Sequence, residues 1–166
     1  MAGNSALAIS QWNVASLQPP SLKAMSPCEG MDDIHREQLC RGGWFSMSNF
    51  DLIAKAIVRY NPNSGLEDLD DLDEMYRRKP VDSKFWEDKR IDVKKIRCPV
   101  YMRGSEVSAL HTMSSIGGWL ESKHDRKRIH WGSTQGWYEL YGQPKSNHEL
   151  QKYFDRFLKG KQNNWD

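Results

Sequence analysis
The 166-residue sequence predicts an α/β protein with a mostly parallel sheet. Three short apolar runs of strand length alternate with helical segments, and the last helix carries the clearest amphipathic stripe in the chain. Strands separated by helices pair in parallel, because each crossover returns the chain to the same end of the sheet. The length suits one domain with a sizeable core.

The first helix is expected over Ala6–Leu17, where Ala6, Leu7, Ala8, Ile9, Trp12, Val14, Ala15 and Leu17 leave no polar face. Such a helix is expected to be buried on most sides. Pro19-Pro20 stops it, since proline lacks the amide donor and restricts the preceding residue. Leu22–Pro27 follows as a buried-strand candidate.

Residues 28–92 have a different character and read as a helical lid inserted between the first two strands, over the sheet's carboxyl end. Gly42-Gly43 is a flexible break, and Ser48–Tyr60 is a helix candidate with Ile53, Ile57 and Tyr60 on one stripe. The acidic run that follows spaces Leu66, Leu69, Leu72, Met75 and Tyr76 helically, with acids early and bases late, as the helix dipole favours. Carboxylates interleaved with leucines in this way form a solvated helix face rather than a metal site.

Residues 93–166 supply the remaining elements. Cys98–Ser105 and Lys127–Ser133 are strand candidates, separated by a helix within His111–Ser122. In the final helix Ser146 and Glu149 fit a capping box. Leu150, Tyr153, Phe154, Phe157 and Leu158 repeat as one face, and Gly160 supplies the stop.

Composition excludes several classes. Lys plus Arg number 24 against 22 Asp plus Glu, a net charge of +2, which argues against a nucleic-acid partner. The basic cluster His124–Arg128 reads as a solvated strand entry. Cys28, Cys40 and Cys98 form no CxxC pair, so neither a zinc site nor a disulfide framework is expected. No metal or other cofactor is expected. With no basic leader after Met1 and no apolar window long enough to span a bilayer, the expectation is a cytoplasmic protein with no membrane association. The seven tryptophans are scattered along the chain, a pattern of core and pocket lining rather than of a stacking platform.

One stretch carries candidate chemistry. Gly3-Asn4-Ser5, followed directly by a helix, has the form of a turn presenting a nucleophilic serine, although no strand is evident upstream of it. "GNSALAISQW" followed by "QPPSLKAMSPCEGMDDIHRE" resembles the X-Pro dipeptidyl-peptidase and cocaine-esterase family of serine hydrolases. "KFWEDKRIDVKKIRCPVYMRGS" and "LQKYFDRFLKGKQNNWD" resemble later parts of the same family's hydrolase domain at collinear positions. The resemblance implies part of an α/β-hydrolase fold, with about three remaining strands and the lid.

That resemblance assigns Ser5 as the nucleophile position and the Ala6 amide as an oxyanion donor. The family's aspartate should lie in the turn after Cys98–Ser105, where Glu106 is the nearest acid. Its histidine should follow the third strand, where Gln135 stands instead, leaving His130 and His111 as base candidates in a rearranged geometry. The implied reaction is cleavage of a small ester or peptide-like substrate through an acyl-enzyme on Ser5. The alternative is a catalytically inactive fragment or pseudoenzyme acting as a binding module, and a third reading uses the Trp-rich insertion as a small-molecule pocket. The family's upstream strands have no counterpart in the sequence, so Leu22–Pro27 is expected to lack a neighbour and to offer a sheet edge for association.

Overall fold
A computed structural model describes residues 1–53 and 72–165. In chain order the elements are β1 (Ala2–Asn4), α1 (Ala6–Ser16), β2 (Ser26–Cys28) and a π-helical turn (His35–Leu39). β3 (Cys40–Arg41), β4 (Trp44–Phe45), α2 (Met47–Phe50), α3 (Leu72–Arg78), α4 (Lys84–Asp88) and a 3-10 turn (Val93–Lys95) follow. The chain continues through β5 (Val100–Ser105), α5 (Thr112–Glu121), β6 (Lys127–Gly132), α6 (Gly136–Gly142) and α7 (Pro144–Lys159). These elements divide between two units, Met1–Asp32 with Ile91–Asp166, and Asp33–Arg90.

The first unit is built on a four-stranded sheet ordered β1-β2-β5-β6, parallel throughout. One of these strands is absent from the sequence reading: Ala2–Asn4 pairs with Ser26–Cys28 residue for residue, so the turn at Ser5 does have a strand before it. β2 therefore has neighbours on both sides, and among the described residues β1 and β6 stand at the two ends of the strand order. Leu22–Pro27 contributes less strand than expected, with an isolated bridge from Met25 to Val100 preceding Ser26–Cys28.

Alternation along β5 decides which core each residue enters. Val100 and Met102 pack with Trp12 and Ala15 of α1, Met25 and Ile96, and with Trp119 of α5 at the margin. Tyr101 enters a second cluster with Ala24, Tyr153 of α7 and Trp165, flanked by Leu150, Phe154 and Phe157. Fully burying a side chain such as Met102 stabilises by about 1.5–3 kcal/mol. α7 is thus seated by four residues of the stripe read from the sequence, with the fifth, Leu158, exposed, and Gly160 ends it at φ 69°.

Two local expectations fail for physical reasons. α1 buries only Ala8, Gln11, Trp12 and Ala15 and leaves Leu7 63% exposed, because only one of its sides meets the sheet, and Leu17 just beyond its end is 81% exposed. The Ser146/Glu149 capping box does not form, since α7 already begins at Pro144, a residue suited to the first turn. Glu149 instead accepts a hydrogen bond from Tyr101 Oη at 3.1 Å. α6 was not expected as a helix from its sequence.

The second unit holds a β3–β4 hairpin in which Cys40 faces Phe45 and Arg41 faces Trp44. Gly42 and Gly43, at φ 59° and 87°, form its two-residue turn, so the glycine pair is a hairpin rather than a loose break. Leu39, Phe50 and Trp86 make its core, with Phe45 stacked on Tyr76 at 3.9 Å. Of the helix expected over Ser48–Tyr60 and the acidic run after it, residues 54–71 lie outside the described residues.

Candidate active site
The site begins with backbone geometry. β1 ends at Asn4, and Ser5 turns the chain at φ 56°, ψ −119° directly into α1. A non-glycine residue in this region costs about 1–3 kcal/mol and persists only where its surroundings enforce it. Here the Ser5 N–H donates to Cys28 O at 3.0 Å, and the Ser5 carbonyl accepts from Ala8 N at 2.9 Å and Ile9 N at 3.0 Å. Gly3 is required two residues earlier, since a Cβ there would lie 2.7 Å from Leu7 Cβ.

This is the strand–turn–helix elbow that lifts a serine above the carboxyl end of a parallel sheet. Ser5 Oγ makes no capping hydrogen bond, so the helix does not consume the hydroxyl. The Ala6 N–H belongs to the first turn of α1 and has no intrahelical acceptor, leaving it available to an oxyanion. The Ser5 hydroxyl and the Ala6 N–H thus lie at one strand-to-helix turn.

The other candidates are not assembled around Ser5. Glu106 is exposed and continues the ladder past β5, its N–H donating to Gly132 O at 3.1 Å. His111 is buried at the start of α5, its N–H donating to Ser108 O and Oγ, each at 3.3 Å. His130 lies within β6, three strands from β1 in the sheet order, or roughly 14 Å at ordinary strand spacing. Its Nε2 is paired with Glu139 Oε2 at 3.0 Å, and Thr134 Oγ1 donates to Glu139 Oε1 at 2.6 Å. The buried Arg103 guanidinium lies 3.8 Å from the same carboxylate. Gln135 accepts a hydrogen bond from Trp137 Nε1. Among the described residues, Ser5 Oγ has no hydrogen bond to Glu106, His111 or His130.

The sequence reading passed over Glu29, the residue that the strand ends share. It is 2% exposed and follows β2 at φ 51°. Its Oε1 accepts from Ser105 Oγ at 2.8 Å and from Gly136 N at 3.0 Å. Its Oε2 accepts from Asn4 Nδ2 at 3.2 Å. The available signal was an acid followed by glycine, Glu29-Gly30, immediately after a small buried strand. Next to it Cys28 is fully buried, which pushes its thiol up to about 11. Among the described residues no three His, Cys, Asp or Glu side chains are grouped to hold a metal ion, and no helix is long and apolar enough to cross a membrane.

Comparison with known proteins bears on the family and the fold. The family model for X-Pro dipeptidyl-peptidase (S15 family) matches residues 1–141. A CocE/NonD family hydrolase from Staphylococcus aureus superposes with a TM-score of 0.85 at 29% identity, over 98% of this chain and 29% of that one. An acylaminoacyl peptidase from Pyrococcus horikoshii superposes at 0.65 with 14% identity, over 99% of this chain and 25% of that one, a likeness of fold. The chain therefore spans between a quarter and a third of the length of these solved relatives. No curated protein matches it.

Proposed function
The chain belongs to the X-Pro dipeptidyl-peptidase (S15) family, and from that membership we propose that it carries the nucleophile of a serine hydrolase acting on an ester or amide carbonyl. The observation that carries the reading is the backbone of Ser5, held at φ 56° between the parallel strand β1 and the first turn of α1. Such strain at one hydroxyl is retained where the turn must present that hydroxyl. In the proposed reaction Ser5 Oγ attacks the carbonyl carbon and its proton passes to a base. The Ala6 N–H donates to the oxyanion, and the alcohol or amine leaves to give an acyl-enzyme that water then hydrolyses. The substrate is a small ester or peptide-like molecule.

A second reading, a catalytically silent member that acts by binding, is favoured by one specific observation. The imidazole of His130 is engaged by Glu139 and stands three strands away from the elbow, so Ser5 lacks that base. A fluorophosphonate probe separates the two readings. Labelling of the purified chain that disappears in Ser5→Ala supports the hydrolase; a folded chain that takes up no probe overturns it in favour of the silent member.

A further inference from the structure
We infer that Glu29 is a positioning residue, whose carboxylate sets the Ser5 elbow in register with the segments that follow β5 and β6; its catalytic relevance rests on the reading of Ser5 as a nucleophile. In an open parallel sheet, ligands bind in the crevice beyond the carboxyl ends of the strands. Four segments leave the strands at that end, and Glu29 lies on one and touches the other three. Oε2 accepts from Asn4, the neighbour of Ser5. Oε1 accepts from Ser105, the last residue of β5, and from the amide of Gly136, the first residue of α6 beyond β6.

The backbone fixes where this carboxylate can go. Glu29 N–H donates to Arg103 O at 2.8 Å, clamping the residue to β5. Its φ of 51° departs from an extended path, and Gly30 follows where a Cβ would lie 2.7 Å from Trp12 Nε1. On the far side, a Cβ on Gly136 would lie 2.5 Å from Cys28 Sγ and 3.0 Å from Glu29 Cγ, so the approach of α6 depends on a glycine.

Three donors engage both oxygens of this buried carboxylate, so its contacts orient the neighbouring segments. Glutamine at this position retains one acceptor oxygen but turns an NH2 toward the NH2 of Asn4, breaking the link to the elbow. The Oε1 side of the brace can survive in that variant, whereas alanine removes both sides.

The test uses the full chain with Glu29→Gln, Glu29→Ala and Ser105→Ala, the last removing one donor and keeping the carboxylate. Two measurements are made: amide hydrogen exchange, and the rate of Ser5 labelling by a fluorophosphonate across pH 6 to 9. In Glu29→Gln the expected result is a loss of protection of about tenfold or more at Ser5, with α7 unchanged. Glu29→Ala extends the loss to Gly136. Labelling slows by a similar factor through the inactivation step, with probe binding unchanged. Unchanged exchange at both amides, or a loss spread evenly into α7, overturns the inference. If a variant fails to fold, Ser105→Ala gives the deciding exchange result at Gly136. A wild-type chain that takes no label overturns the nucleophile reading alone, because exchange still reports whether Glu29 holds the elbow.

Discussion

Tyr153 Oη lies 2.6 Å from the carbonyl oxygen of Pro99 and 2.9 Å from that of Met25, and accepts from Met25 N at 3.2 Å. One phenol on α7 thus clasps the approaches to two neighbouring strands across 128 residues of sequence. Tyr153→Phe keeps the ring in its cluster and removes only the hydroxyl. It should lower unfolding free energy by about 1–2 kcal/mol, read as an earlier urea midpoint with an unchanged slope.

Ser5→Gly should stabilise the chain by about 1 kcal/mol, because glycine occupies φ 56° without the penalty a side chain carries there. For a domain of this size that is a rise of roughly 2–4 °C in Tm by calorimetry. Ser5→Ala shares the loss of the hydroxyl but not the relief, so its Tm should stay near wild type.

Alkaline pH should destabilise the fold. The Cys28 thiol ionises near 9 when unfolded, whereas burial raises it to about 11 in the folded chain. Between those values the folded chain holds a proton that the unfolded chain has lost, so stability falls as pH rises. Burial also raises the phenols of Tyr101 and Tyr153, which act in the same direction. Denaturation curves from pH 8 to 11 should show a loss on the order of 2 kcal/mol attributable to Cys28. Cys28→Ala should flatten the slope over that window, whatever its effect on absolute stability.

Gly104→Ala should be strongly destabilising, since a Cβ there would lie 2.7 Å from Trp131 Cζ3 and 2.8 Å from Ser115 Cβ. Overpacking of this kind costs about 1–3 kcal/mol. Adding Ser115→Gly removes one of the two opposing groups and should recover part of the loss. A double-mutant cycle that finds the two changes additive would refute the proposed contact.

The parts of this fold written in a periodic pattern were legible in the sequence. The α7 stripe, the buried run leading into β5 and the stop at Gly160 each depend on residues close in sequence. The turn into α1 at Ser5 was legible for the same reason, because Gly3, Ser5 and the helix that follows are close in sequence. β1 was not, since three residues are too short to show alternation and their pairing with Ser26–Cys28 is non-local. Glu29 was missed because its role exists only when Asn4, Ser105 and Gly136 converge. The capping box misled for the complementary reason: a sound local signal lost Glu149 to Tyr101, a residue 48 positions away.

The clasp by Tyr153 also imposes an order of assembly. The α1 side of the sheet is packed by residues that all precede α7 in the chain, whereas the opposite side waits for α7 and Trp165. A nascent chain that has made β1, β2 and β5 therefore carries a half-covered sheet until its last aromatic cluster arrives. Trp165, set edge-on to Tyr101 at 4.7 Å, is placed to report that closing step by its fluorescence.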